Sequence, residues 1–532
     1  MGAEEPPRRR PRAPRLVAAD AQGAHRALRR SGRPALVTAS HQTPPSDPAA
    51  GPGLGRRAAR GAAVSVGGQG VKAIVQMAGV VVLARLLSPA DYGILALTTV
   101  VVGVGEIFRD FGLSTAAVQA RTLSGQQRSQ LFWINLAIGV LLAGMVVVAA
   151  PFVAQFFGQP ALTDVMRALS LTFLLNGAAT QYRASLERAL RFKRIALIDA
   201  TSPVFGLAVA IGLALAGAGV WALVAQQLTT GLVLMVMLVV SGGWAPGLPR
   251  RGVHMDGMLR FGWNMVGNQL VGYAANNVDS LLIGWRLGIA PLGVYNRAFQ
   301  LLMQPYNQIR VPITRVAIPI LSRLQGEPDR YWAFLLRGQI ALGYTLCAAL
   351  FLVSGSARPV TSLLLGAPWL EASPLLALLA IGASLQSLAM VAYWVYVTKG
   401  LTGHLFQWSL ISAALKIACI VAGSFFGLVG IATGYAAAPL VAWPLSFLWL
   451  SRKVDMPLPA IYAGALRIFL VGGLAGGASF ALDVFATHGL PDVVAIVLNT
   501  LAGLTAAALA LILPGVRSDV LRIRETVGML RP

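Results

Sequence analysis

About fourteen runs of roughly 20 mostly apolar residues follow one another along this chain, parted by short polar turns, and that pattern leaves few folds open. Each run is long enough to carry a helix across roughly 30 Å of hydrocarbon. Barrel strands would be half that length and would alternate in polarity, which these do not. The runs extend from residues 68–88 to 492–514, so the expectation is an all-α integral membrane protein with about 14 transmembrane helices. With 56% hydrophobic and 12% charged residues, the 532-residue chain also lacks the polar surface to coat a soluble globule of its size.

Two stretches read as copies of one membrane hairpin. The first is LARLLSPADYGILALTTVVVGVGEIFRDFGLSTAAVQ, from Leu83 to Gln119; the second is NNVDSLLIGWRLGIAPLGVYNRAFQLLMQP, from Asn276 to Pro305. Each has an apolar helix, a short turn, a glycine, and a second apolar helix that carries charge. Gly93 and Gly293 stand 200 positions apart, and Gln69 and Gln269 share that offset. Internal repeats of this kind build secondary transporters, with substrate held between the repeats near the bilayer midplane.

Loop charge sets the expected orientation, because Lys and Arg near span ends stay in the cytoplasm. Loops after even-numbered spans are rich in them, for example Arg183, Arg188, Arg191, Lys193 and Arg194; the odd-numbered loops offer only Arg85, Arg286 and Arg358. Both termini are therefore expected in the cytoplasm. The net charge of +23 is explained by this bias and by attraction to anionic lipid, so no nucleic-acid partner is implied. Residues 1–60, with twelve Arg and nine Pro, read as a disordered cytoplasmic tail.

The sequence offers no enzyme chemistry. Cys347 and Cys419 lie in separate expected helices, the five histidines never reach metal-ligand spacing, and no GxxxxGK[ST] phosphate loop is present. No catalytic residue, metal or cofactor is expected.

Polar residues inside the spans carry the functional signal, since a charge at a helix centre costs about 2.5–3.5 kcal/mol and so usually faces a cavity or a partner. Gln69, Lys72 and Gln76 share one face of the first span. Glu106, Arg109 and Asp110 fall within one turn of the second, close enough for an internal ion pair. Asn264, Asn268 and Asp279 lie within roughly 60° of one another on the seventh. On the eighth, Arg297, Gln304, Gln308 and Arg315 point in nearly one direction, whereas Arg310 points elsewhere. Lys416 stands alone in the eleventh, able either to add to this field or to snorkel to an interface. Two arginines in line with amides predict a wet, electropositive cavity. Guanidinium groups bind phosphate oxygens in bidentate fashion and amides pair with hydroxyls, so a lipid-diphosphate sugar suits the lining.

The segments LARLLSPADYGILAL, DFGLSTAAVQ, NNVDSLLIGWRLG and LGVYNRAFQLLMQP resemble the oligosaccharide flippase (polysaccharide exporter, Wzx-like) branch of the multidrug/oligosaccharidyl-lipid/polysaccharide superfamily, over residues 62 to 455. Asp110, Asp279 and Arg297 match its pattern; Lys72, Arg109 and Arg315 rest on periodicity. The resemblance implies two six-helix bundles in a V in the bacterial inner membrane, over 62–245 and 255–452; two additional transmembrane helices at 458–516, which exceed that twelve-helix plan, and a cytoplasmic tail at 517–532 are read from the apolar runs and loop charge. It implies alternating access and transport of polyprenyl-diphosphate-linked oligosaccharide for polysaccharide (exopolysaccharide, capsule or O-antigen) biosynthesis, with membrane lipids, a polysaccharide polymerase and glycosyltransferases as associated partners. A lipid II-type flippase is close to this reading. A cation-coupled multidrug antiporter of the same superfamily would want free intramembrane carboxylates, whereas the cavity candidates are mostly cationic. A membrane glycan polymerase or ligase would need a large catalytic outer loop, and the longest, about Gly355 to Ala372, holds only Arg358 and Glu371.

Overall fold

The computed structural model describes residues 54–110, 124–248 and 256–529. Residues 59–532 form one compact unit, and the other, residues 1–58, lies almost wholly outside the described residues. The expected disordered tail is therefore not addressed beyond its end, where a helix already begins at Leu54.

Every regular element among the described residues is helical. The first lobe comprises α1 (Leu54–Leu86), α2 (Pro89–Asp110), α3 (Gly125–Phe156), α4 (Ala161–Arg188), α5 (Phe192–Leu215) and α6 (Val220–Gly242). The second comprises α7 (Asp256–Arg286), α8 (Ile289–Arg323), α9 (Pro328–Gly355, with a π turn at Gly343–Cys347), the short α10 (Ala357–Leu365), α11 (Ala372–Thr398), α12 (Thr402–Ser424) and α13 (Gly427–Ser451). The chain closes with α14 (Leu458–Thr487), α15 (Asp492–Leu509) and α16 (Pro514–Met529). Eleven of the described helices are long and apolar enough to cross a membrane. Three more, α4, α7 and α8, have the length but carry more polar residues. The protein is thus a multi-pass, all-α membrane protein.

Local sequence starts these helices in recognisable ways. Ser88-Pro89-Ala90-Asp91 caps α2: the Asp91 carboxylate accepts from the Ser88 backbone N–H (3.0 Å) and hydroxyl (2.6 Å), and Pro89 occupies the first helical position. In the second copy the same turn is made by Gly288 at φ +94°, where a side chain would be strained. Ser124 and Gln127 form a reciprocal capping box at α3. Three prolines, Pro305, Pro312 and Pro319, lie within α8, which remains helical throughout.

The lobes meet where the two hairpins face each other. Gly93 packs on the Ile289 carbonyl and Gly293 on the Pro89 carbonyl, a reciprocal contact in which a Cβ on either glycine would overlap backbone oxygen. Small residues here let α2 and α8 approach backbone to backbone. The two glycines at the 200-residue offset thus pack reciprocally against each other's hairpin.

The last helices attach to the second lobe. α14 packs on α9 and α15, and a buried polar chain joins Ser356, Ser479, Asn499, Thr487 and Asp483. α16 follows as a docked helix: Asp519, fully buried, receives two hydrogen bonds from Arg467 at 2.7 and 3.0 Å. Arg467→Ala would leave that carboxylate without its cation, so α16 is expected to detach and be cut faster by trypsin than in the parent protein.

Candidate functional site

Above the glycine contact the lobes are sealed by aromatic and cationic groups. Arg297, 6% exposed, lies 3.4 Å over the Tyr92 ring, and Tyr92 meets Trp369 edge-on at 5.5 Å. Trp369 Nε1 donates to the Ala84 carbonyl at 2.7 Å, and Arg85 donates to the Leu363 carbonyl. Further along α2, the Tyr273 hydroxyl on α7 donates to the Val100 carbonyl at 3.1 Å. Asp279, 2% exposed, is pinned beside this seal by the Tyr295 hydroxyl at 2.7 Å and the Ser280 N–H at 2.9 Å. Arg297 therefore does not line a wet wall as its helical angle suggested. Its face of α8 is covered by α2 at that height, and a cation–π contact replaces water.

Each lobe holds an open cavity of its own, with polar side chains among an apolar lining. In the first lobe, about 450 Å³ is bounded by α1, α2, α4, α5 and α6. Lys72, half-buried, and Gln76 stand on one wall, with Asn176, Gln226, Gln227 and Thr230 opposite. Its two carboxylates are already matched. Glu106 accepts from Arg109 Nε at 2.6 Å and Asn176 Nδ2 at 2.9 Å, while Arg109 also donates to Thr180 at 2.8 Å. Asp199 takes a forked pair from Arg183 at 2.8 and 2.9 Å. The expected ion pair of Glu106 and Arg109 is present. Asp110 shares the helix, but its side chain is outside the described residues.

The second lobe holds a cavity of about 430 Å³ between α7, α11, α12 and α13. Lys416 reaches into it, donating to Asn276 Oδ1 at 3.4 Å and lying 4.7 Å over the Tyr435 ring. It sits inside the lobe, not at a lipid interface. The two cavities correspond through the repeat: Lys72 and Gly272, and Gln76 and Asn276, line them at the same offset of 200. A further cavity of about 400 Å³, between α8 and α11, is lined by Arg310, Thr314, Arg315, Gln386 and Tyr393.

Arg315 thus faces a cavity as expected, but its companion is Arg310, which the sequence reading had turned away. Gln304 is half-buried with Oε1 unpartnered, and Gln308 is exposed. The side chains of Asn264 and Asn268 are outside the described residues. Sequence reasoning missed Asp199, Asn176, Gln226 and Gln227; the Gln226-Gln227 pair inside an otherwise apolar helix was the available signal. No group of three or more His, Cys, Asp or Glu that could hold a metal ion occurs among the described residues.

The fold has known relatives. The lipid II flippase MurJ, in an inward closed conformation, matches with a TM-score of 0.67 at 13% identity, covering 84% of this chain and 98% of its own. An inward-facing multidrug resistance MATE family transporter of the MOP superfamily matches with a TM-score of 0.56 at 15% identity, covering 74% and 96%. At these identities the likeness is one of fold. By sequence, the lipopolysaccharide biosynthesis protein WzxC of Escherichia coli K12 is 25% identical over 430 residues, 76% of this chain and 85% of its own length. The teichuronic acid biosynthesis protein TuaB of Bacillus subtilis 168 is 28% identical over 398 residues, covering 72% and 80%. The succinoglycan biosynthesis transport protein ExoT of Rhizobium meliloti 1021 is 24% identical over 427 residues, covering 79% and 86%. The polysaccharide biosynthesis protein family matches residues 82–374, more than half of the chain, and this multi-pass membrane protein belongs to that family.

Proposed function

We propose that the chain is a transporter, not an enzyme, that moves polyprenyl-diphosphate-linked oligosaccharide units across the bacterial inner membrane by alternating access, for assembly of an extracellular or surface polysaccharide. The observation that carries this reading is a charge asymmetry between the lobes. The first-lobe carboxylates are neutralised by Arg109 and Arg183, whereas Arg310 and Arg315 line a cavity with no acidic residue on its described wall. A diphosphate supplies the missing anion, and its sugars suit the amides of the first lobe. A drug antiporter would present the opposite balance, free carboxylates to take protons or cationic substrate.

In this reading the lobes are the two six-helix bundles, both termini are cytoplasmic, and the seal at Gly93 and Gly293 closes the outer side while substrate enters from the cytoplasm. Orientation has a direct check. Cysteines at Arg191 and Arg323 should be shielded from impermeant thiol reagents in intact cells, and one at Gly489 should label; the reverse pattern would invert the topology.

Transport is tested by Arg310→Ala with Arg315→Ala. Each lost charge-assisted hydrogen bond is worth about 1.5–3 kcal/mol, so export should fall by at least tenfold while the protein still reaches the membrane. Lipid-linked repeat units should then accumulate on the cytoplasmic leaflet. Arg310→Lys should recover only part of the activity, because an ammonium keeps the charge and loses the fork. Unchanged export in the double variant would remove this cavity from the route.

A further inference from the structure

The second-lobe cavities differ from their first-lobe counterpart in one chemical respect. The described wall of the first-lobe cavity holds no aromatic residue, whereas the corresponding second-lobe cavity presents Tyr393, Phe406, Trp408 and Trp443. Tyr393 and Phe406 are each 44% exposed within their helices, so their ring faces are open rather than packed. Trp443 Nε1 is buried without a hydrogen-bond partner. Around these rings stand Asn276 and Lys416, polar groups at the margin of an aromatic floor. Aromatic faces with a few converging donors suit a sugar ring, whose C–H side lies on the negative ring face while its hydroxyls meet the polar rim.

This aromatic cavity adjoins the arginine cavity. Gln386, Ala389 and Tyr393 line both, at intervals of three and four residues along one face of α11. On the other side of that shared wall Arg310 carries a buried Nε that also lacks a partner. A ring-binding floor and a cationic pocket therefore meet edge to edge, with unspent donors on both sides of the junction.

Resting on the transport reading above, we propose that the two cavities form one composite subsite for the junction of a lipid-linked glycan: Arg310 and Arg315 take the diphosphate, and Tyr393 and Trp408 take the first sugar attached to it. In such a molecule the first sugar is bonded directly to the phosphate, so its two recognition elements must be neighbours. The arrangement makes this lobe the reader of the first sugar and leaves the amide-lined first-lobe cavity to the distal sugars.

The test is binding by the full-length protein in nanodiscs of zwitterionic lipid, with two probes: farnesyl diphosphate and its conjugate with α-linked glucose. Arg310→Gln should weaken both probes by about tenfold. Trp408→Leu should weaken the glucose conjugate by about tenfold and leave farnesyl diphosphate unchanged, and Trp408→Phe, which keeps a ring face, should restore the conjugate. Equal weakening of both probes by Trp408→Leu, or no effect of Arg310→Gln on either, would overturn the composite subsite while leaving the transport reading intact. Failure of the unmutated protein to bind either probe would instead bring down the transport reading and the subsite with it.

Discussion

Gly93→Leu and Gly293→Leu should each break the outer seal and stop transport. At both positions a Cβ would overlap a backbone carbonyl oxygen, of Ile289 or Pro89, and backbone cannot swing aside as a flexible side chain would. Overpacking costs about 1–3 kcal/mol, which against a two-state seal is a roughly 5- to 150-fold shift toward the state open at that end. The measurement is labelling at Leu97→Cys, a fully buried position on α2, in a background lacking Cys347 and Cys419. An impermeant thiol reagent applied outside should modify it in the glycine variants and not in the parent. Labelling unchanged by either leucine would mean that the hairpin contact is not the closing surface.

The second large effect is expected at Arg183 and Asp199. Arg183→Leu leaves Asp199, 6% exposed, as an uncompensated carboxylate inside the first lobe. Removing one partner of a buried pair typically costs about 3–5 kcal/mol, and because Arg183 is itself 37% exposed the loss should lie toward the low end. Thermal melting of the purified protein should therefore drop clearly in Arg183→Leu and recover in Arg183→Leu with Asp199→Leu, with export following stability. Loss of export in Asp199→Asn at unchanged melting temperature would point the other way, to a carboxylate that must titrate during transport, as an antiporter requires.

Much of the architecture was legible before any coordinates. The apolar runs gave helices, and the Gly93 and Gly293 offset gave the duplication, because membrane helices satisfy their own backbone and leave a simple length signal. The site was harder. A helical wheel gives the direction of Arg297, Arg310 and Arg315 around α8 but not which neighbour covers each height. Arg297 faces the other lobe where α2 is pressed against it, so it is dry; Arg310 faces inward where α11 stands off, so it meets a cavity. The partners of Glu106 and Asp199 were obscure for a related reason. Asn176, Thr180 and Arg183 belong to α4, a neighbour that only the fold identifies.

The attachment of α14, α15 and α16 to one lobe alone has a mechanical consequence. The proposed alternation between inward and outward states would be a relative rotation, and a bilayer resists the broader body more. The second lobe carries three further helices: Gly355 of α9 lies against the Gly476 carbonyl of α14, and the Arg467–Asp519 clamp ties α16 to α14. In the proposed alternation the second lobe would serve as the frame and the lighter first lobe as the moving part. A bulky tag or rigid binder on the loop between α3 and α4 would add drag to the moving part and slow turnover, whereas the same load on the loop between α14 and α15 would ride on the frame and leave the rate nearly unchanged.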